Sequence, residues 1–422
     1  MSSDKSKRSF LQMLGPGFVA GASDDDPAGI GTYVQAGAQF GYAQLWTALF
    51  TFPVMATVQE MCGRIGRVTG KGLAAVMRDV YPPWFIFSIV GLQVVTNTIN
   101  IGADLSAMSQ SMGLLLHVPY IAILLAVTAI TTALIVMIPY RSYATMLKFL
   151  GFTLLTYVAT AFFVHADWHA VALNTVLPHI PLSKDYLLTL IAVLGVTISP
   201  YEFFWQANEE VEELVAEGKI RHEGARRARP DPRAVRSVRN DTIFGMFFAN
   251  LITFFIIIVA AATLHAHGRT NVQSADQAAR MLLPLAGPAA FALFAAGIVS
   301  SGLLAIPVMA GSSAYAVAGA LGWPRSLARP FWQERKFYGI IVASCVIGIA
   351  VNLTHIQPFT LLFYSGILNG IVSPFVLFVV TQIGSNRRIM GAYVNNRFSA
   401  TMGWLLCGFM TAALVAWAVL SR

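Results

Sequence analysis

Long apolar runs separated by short polar or basic stretches set the pattern of this chain. Eleven of them read as membrane-crossing helices: residues 11–39, 43–63, 84–115, 119–138, 145–164, 185–213, 242–264, 288–320, 338–355, 358–382 and 401–420. A hydrocarbon core about 30 Å thick needs about 20 helical residues, a length most of these runs supply. Two runs are interrupted. In the first, residues 11–22 give roughly 18 Å of helix at ~1.5 Å per residue, about half a crossing. Ser23, Asp24, Asp25, Asp26, Pro27, Ala28 and Gly29 then intervene, and an apolar run resumes at Ile30. In the sixth run, residues 185–198 stop at Ser199-Pro200-Tyr201-Glu202, and FFWQANEEVEEL follows.

The positions of the two interruptions predict the topology. They fall on spans 1 and 6, at matching places in two five-helix halves that run in opposite directions. Such broken helices at corresponding positions point to an inverted repeat with a binding site near the bilayer midplane. The expected fold is therefore an all-α integral membrane protein of eleven transmembrane helices, a 5+5 inverted repeat plus one extra helix. The expected divisions are an N-terminal arm (1–10), a first repeat (11–164), an outer loop (165–184) and a second repeat (185–382). The second repeat contains a basic inner loop (214–241), and an inner loop with the eleventh helix (383–422) completes the chain.

Composition agrees: 56% of the 422 residues are hydrophobic and 11% charged, with mean hydropathy +0.64. Soluble domains carry roughly 25% charged residues. The net charge of +8 would suit a nucleic-acid partner, but its distribution argues otherwise. With the N-terminus in the cytoplasm, 24 of the 28 basic residues lie on inner segments, and Lys184, Arg269, Arg280 and Arg422 are the exceptions. That asymmetry orients the chain, N-terminus cytoplasmic and C-terminus outside, in a plasma or bacterial inner membrane. The cluster from Lys219 to Arg239 then faces anionic inner-leaflet headgroups. No aromatic residues interleave with it, so no nucleic-acid contact is expected. Cys62, Cys345 and Cys407 are odd in number and lie within apolar runs, which reads as unpaired core cysteine. The N-terminus shows no signal-peptide cleavage pattern.

The chemistry concentrates where the helices break. Ionisable groups at membrane depth are costly and usually line a cavity or an ion path. Helix ends leave carbonyls free, here near Ser23, Val196 and Thr197, and carbonyls with carboxylates suit a hard cation. A plainer reading competes. Asp26-Pro27 is also an N-cap followed by proline, and Ser199 with Glu202 fits a capping box. Capping is the expectation for Glu202. For Asp26 it is substrate contact, because one cap needs one acceptor and three carboxylates are present. Asp24 and Asp25 point to other faces, and at most one of them is expected to join it. In span 3, Gln93, Asn97, Asn100 and Asp104 form one helical stripe. Interhelical hydrogen bonding is expected of the amides and a proton-path role of Asp104. Glu60 pairs with Arg64 four residues on. His165, His169, His265 and His267 fall in outer loops, where solvated side chains are expected. The small residues from Gly297 to Gly311 suit close helix packing. No phosphate-binding Gly-rich loop, Ser/His/Asp set or HExxH motif occurs.

These residues resemble the Nramp (SLC11-type) divalent metal transporters over nearly the whole chain. Gly15-Pro16-Gly17 matches the family opening, and Asp26-Pro27-Ala28-Gly29 stands where the family has Asp-Pro-Gly-Asn. Gln35-Ala36-Gly37-Ala38, Gly41-Tyr42, Val68-Thr69-Gly70-Lys71, Asp104-Leu105, Ser373-Pro374-Phe375 and Asn386-Arg387-Arg388-Ile389-Met390-Gly391 follow it closely. The resemblance implies a LeuT-type fold and proton-coupled uptake of Mn²⁺ or Fe²⁺ by alternating access, with no cofactor beyond the transported ion. A monomer is expected. The departures fall at the site. Gly29 replaces the family asparagine, Ser199 and Tyr201 replace the methionine and histidine of span 6, and Ala107 replaces a glutamate of span 3. The metal set implied for this chain is Asp26, Ser23, Val196, Ser199, Asp25 and Glu202, with Asp104 on a proton path and Pro27, Gly29, Pro200 and Tyr201 forming the helix breaks. Loss of a thioether shifts preference toward Mg²⁺ or Mn²⁺ and relaxes selectivity, as in the divergent Nramp-related branch. Tyr201 and Ala107 put proton coupling in question. Two other functions remain open at this point. One is a same-fold transporter of an organic cation or other small solute; the other is an intramembrane aspartyl hydrolase using Asp26 with Asp104.

Overall fold

A computed structural model describes residues 15–116, 118–138, 152–224, 230–354 and 356–421 of the chain. All regular structure among these residues is helical. The first span is two helices, α1 (Pro16–Asp24) and α2 (Pro27–Phe40). They are followed by α3 (Trp46–Thr69), α4 (Leu73–Val80), α5 (Pro83–Gly113) and α6 (Tyr120–Met137). The sixth span is again two helices, α7 (Lys184–Thr197) and α8 (Pro200–Ala216). The remaining long helices are α9 (Pro232–Thr263), α10 (Ala290–Leu321), α11 (Arg335–Ala350), α12 (Pro358–Gly384) and α13 (Arg397–Leu420).

Seven helical segments among the described residues are long and apolar enough to cross a membrane, counting α7 and α8 as one. The others explain themselves physically. Helices α1 and α2 have 9 and 14 residues, half-crossings made so by the break. Helix α11 has 16 residues, and α3 carries Glu60, Arg64 and Arg67 toward its end. Span 5, expected at 145–164, lies outside the described residues up to 151. Beyond that it shows a short turn at Phe152–Leu154 and a helix at Leu155–Ala161.

Several boundaries differ from expectation, each for a local reason. Both breaks are narrower: only Asp25 and Asp26 separate α1 from α2, and only Ile198 and Ser199 separate α7 from α8. Pro27 and Pro200 are the first residues of the resumed helices, where proline's missing N–H costs nothing and its fixed φ suits the helix. Gly29 and Tyr201 therefore sit inside first turns and not in the gaps. Helix α3 continues past residue 63 to Thr69 and stops at Gly70, whose φ of +68° is the left-handed cap that glycine adopts without strain. Helix α9 begins ten residues earlier than expected, capped by Asp231, so Arg233, Arg236 and Arg239 ride on its first turns.

Glycines bring the helices close at the places that matter for the site. A side chain on Gly21 of α1 would run into the Gly245 carbonyl of α9, and one on Gly17 would meet Thr242. Gly195 of α7 lies equally close to Gly366 and Gly370 of α12, and Gly102 of α5 lies against Gly348 of α11. Where lipid tails are as apolar as the side chains, such backbone proximity is what dispersion forces can use. Helix α10 packs along α5, and α1 along α9, which encloses both breaks in protein.

Candidate cation site at the two helix breaks

Asp24, Asp25, Asp26, Asp104 and Glu202 are all essentially inaccessible to solvent. None forms an ion pair with a basic residue among the described residues. Five carboxyl groups without a counter-charge are unusual, since buried charges are otherwise paired or coordinate cations. No three His, Cys, Asp or Glu side chains among the described residues converge into a ready ligand set in this conformation. A cation here would draw on backbone and hydroxyl oxygens as well as carboxylates.

The two breaks supply those oxygens. Asp26 caps α2, with Oδ1 accepting from the Gly29 N–H at 2.5 Å. Its Oδ2 accepts from Asn100 Nδ2 at 3.2 Å and from the Tyr201 hydroxyl at 3.4 Å. The Tyr201 hydroxyl also donates to the Ser23 carbonyl at 3.1 Å, so it spans the first break from the second. The Val196 carbonyl accepts from the Ser199 hydroxyl at 2.7 Å, and the Ile198 carbonyl from the Ser373 hydroxyl at 2.9 Å. Both oxygens of Asp24 and of Asp25 lack a hydrogen-bond partner, although all four are buried. Ser199 flanks Asp24 and Thr253 flanks Asp25. Orphaned buried oxygens of this kind call for an ion or water.

The capping box expected at Ser199 and Glu202 does not form. The serine hydroxyl turns back to satisfy the end of α7 and makes no cap bond to α8. Proline at the first position of α8 has already removed one of the donors a cap would satisfy. Glu202 is thereby released toward the other break, where Oε1 accepts from the Ser23 hydroxyl at 3.3 Å. Its own carbonyl accepts from Gln59 Nε2 of α3 at 3.3 Å.

The polar stripe of α5 divides in function along its length. Gln93 donates to Asn97 at 2.7 Å, and Asn97 donates to the Met309 carbonyl at 3.2 Å and the Ser313 hydroxyl at 2.9 Å of α10. That end joins helices. Further along, Asn100 reaches Asp26, and Asp104 Oδ1 accepts from the Ala28 N–H at 3.1 Å. Asp104 Oδ2 has no partner. Asp26 and Asp104 are held by separate donors and share no hydrogen bond, unlike a proton-sharing carboxyl pair.

Three residues at or beside the site were not singled out in the sequence. Asp241 of α9 caps α1 from outside its own segment, accepting from Gly15 N at 2.9 Å, Gly17 N at 2.7 Å and Phe18 N at 3.2 Å. Asn369 of α12 is buried one turn before Ser373 with both side-chain polar atoms unpartnered. Met309 Sδ lies 2.9 Å from Asn100 Nδ2, which places a thioether one residue behind Asp26. Only the orphaned asparagine had a legible signal, a lone polar residue in an apolar run. Asp241 stands at the edge of a basic segment, where sequence reads it as a surface charge.

Away from the breaks, Arg67 of α3 binds Glu210 and Glu213 of α8, both at 2.6 Å, and Glu217 at 3.1 Å. Glu60 and Arg64 pair at 2.9 Å. His265 Nδ1 lies 2.9 Å from the Ala38 carbonyl and His267 Nδ1 2.5 Å from the Thr263 carbonyl, so each is engaged with backbone. The three cysteines are free.

Comparison with known proteins places the chain. The family model described as natural resistance-associated macrophage protein-like, Nramp, matches residues 17–420. A divalent metal cation transporter, MntH, of Klebsiella pneumoniae (strain 342) is 28% identical over 419 residues, covering 97% of this chain and 94% of that protein. The protein of the same description from Acidiphilium cryptum (strain JF-5) is 26% identical over 393 residues, covering 91% of this chain and 85% of its own. The crystal structure of the Eremococcus coleocola manganese transporter with an aromatic bis-isothiourea substituted compound superposes with a TM-score of 0.75 at 18% identity, over 98% of this chain and 87% of that one. Mhp1, a nucleobase-cation-symport-1 family transporter, superposes at 0.60 and 13% identity, over 96% of this chain and 91% of its own.

Proposed function

The chain belongs to the Nramp family, a family of membrane metal-ion transporters and not enzymes, and from that premise we propose that it carries divalent cations of the Mn²⁺ and Mg²⁺ class by alternating access around the two helix breaks. The ion is the substrate, and no cofactor takes part. The observation that carries the reading is the set of buried oxygens at the breaks: Asp24 and Asp25 without partners, Glu202 on the Ser23 hydroxyl, Asp26 linked to the Ser23 carbonyl by the Tyr201 hydroxyl, and the Val196 carbonyl held by Ser199. The proposed ligands are Asp26, the Ser23 and Val196 carbonyls and the Ser199 hydroxyl, with Glu202 and Asp25 facing the ion through water. All are hard oxygen donors, which favours Mg²⁺, Mn²⁺ and related ions over soft ones.

We read the architecture as eleven crossings in a 5+5 inverted repeat with one added helix, monomeric, and oriented by its basic segments with the N-terminus in the cytoplasm. The position where the family has a histidine is Tyr201, whose hydroxyl stays protonated near neutral pH and cannot act as an imidazole does. Entry driven by membrane potential, without obligatory proton movement, follows from that replacement. Proteoliposomes test both points: Mn²⁺ and Mg²⁺ flux is expected under an inside-negative potential at equal pH, with no metal-driven acidification. Metal-independent uptake of an organic solute, or acidification proportional to flux, would overturn the respective part.

A further inference from the structure

One face of α9 changes character along its length. Arg239 and Asn240 are exposed, and one turn further Ile243 and Phe244, then Phe247, are exposed on the same side. At ~1.5 Å per residue, the eight-residue step from Arg239 to Phe247 covers roughly 12 Å, about the distance from a lipid phosphate into the upper acyl region. Two adjoining cavities lie against this face. One, of about 440 Å³, is bordered by Glu60, Arg64, Arg239, Asn396 and Ser399 at its polar side. The other, of about 290 Å³, is an apolar strip of Phe244 and Phe247 with Asn240 at its edge. Phe52 and Ile243 line both, so the polar chamber and the apolar strip adjoin along one face.

The charges in the polar chamber do not cancel. Glu60 is neutralised by Arg64 at 2.9 Å, and Arg64 is also held by the Tyr393 carbonyl and by Asn395 Oδ1 at 2.7 Å. Arg239 has no ion-pair partner among the described residues. A guanidinium with no ion pair among the described residues, lining a pocket beside an apolar trough, matches a phosphodiester joined to an acyl chain.

We propose that the groove between α3, α9 and the start of α13 is a binding site for one anionic glycerophospholipid, its phosphate on Arg239 and an acyl chain along Ile243, Phe244 and Phe247. Polar headgroup and tail are recognised together, which distinguishes this from the general attraction of a basic segment to a charged surface. The site lies on the flank of the bundle, apart from the helix breaks, and does not depend on which ion is carried.

The test is native mass spectrometry of the full-length, delipidated protein in detergent, titrated with phosphatidylglycerol, phosphatidylcholine or glycerol phosphate. The wild type is expected to retain phosphatidylglycerol at least fivefold more than phosphatidylcholine. Arg239→Gln is expected to abolish that preference, and Phe247→Ala to lower retention of both lipids. Glycerol phosphate should not compete. An unchanged preference in Arg239→Gln, or full competition by glycerol phosphate, overturns the proposal. Arg239 is exposed and makes no ion pair among the described residues, so its variant is expected to fold irrespective of the outcome for Phe247→Ala, and metal binding at the breaks serves as the control for both.

Discussion

Tyr201 and Asp26 meet across the two helix breaks: the tyrosine hydroxyl donates to Asp26 Oδ2 at 3.4 Å while also reaching the Ser23 carbonyl at 3.1 Å. One O–H from span 6 thus occupies two oxygens of span 1 that a cation would use. An ion entering the site has to displace it. Replacing the tyrosine by phenylalanine removes the competitor and leaves its acceptors in place. With a hydrogen bond worth about 1 kcal/mol net, Tyr201→Phe is expected to bind Mn²⁺ about fivefold more tightly. Isothermal titration of the variant checks this, and weaker binding would show that the hydroxyl is itself a ligand.

Asp104 touches the site through the backbone, accepting from the Ala28 N–H at 3.1 Å. Its amide variant keeps that acceptor and loses the charge, so the two contributions separate. Asp104→Asn is expected to keep at least a third of the wild-type Mg²⁺ flux in proteoliposomes under an imposed potential. Asp104→Leu leaves the Ala28 N–H unsatisfied in a buried position, at about 1–3 kcal/mol, and should lose most of the flux. Equal loss in both would assign an essential role to the charge.

Asp241 holds the start of α1 by three backbone N–H groups from a neighbouring helix. A carboxylate there satisfies orphan donors and complements the positive end of the helix dipole. Asp241→Ala is expected to cost about 1–2 kcal/mol, with Asp241→Asn recovering roughly half, as read from thermal unfolding in detergent. Indifference to both changes would mean that glycine packing alone fixes α1.

The Arg67 cluster predicts a pH response on the acid side. Partial burial works to raise the Glu217 carboxyl, but its bonds to Lys219 and Arg67 prevail and hold it below the usual glutamate value. A group whose value is depressed on folding stabilises the fold above its unfolded value, and that contribution is lost as pH falls through the folded value. Glu217 is half-exposed, so the effect is small and screened by salt. Thermal midpoints measured from neutral pH down past the carboxylate range should fall less steeply for Glu217→Gln than for the wild type.

The helical architecture was legible because lipid imposes a simple rule: backbone groups must be satisfied within the helix, so apolar length reads out crossings. The breaks were legible for the same reason, since Asp26-Pro27 and Ser199-Pro200 cannot sit inside an uninterrupted apolar helix. What failed was local chemistry decided by tertiary contact. Ser199 and Glu202 have the spacing of a capping box, yet the serine closes α7 and the glutamate turns to Ser23 on another span. Nothing within four residues encodes that choice. Asn100 looked like interhelical glue together with Asn97, and only the approach of α2 makes it a partner of Asp26. Asp241 and Met309 owe their positions wholly to packing between segments far apart in the chain.

Direct calorimetry on the first break tests the central claim most squarely. Asp26→Asn retains an acceptor for the Gly29 N–H, and so the cap on α2, while removing the carboxylate. Titrated with Mn²⁺ and with Mg²⁺, the wild-type protein should bind both ions, and Asp26→Asn should lose at least tenfold in affinity for each. Undiminished Mn²⁺ binding by the variant would contradict the placement of the ion between the two broken helices.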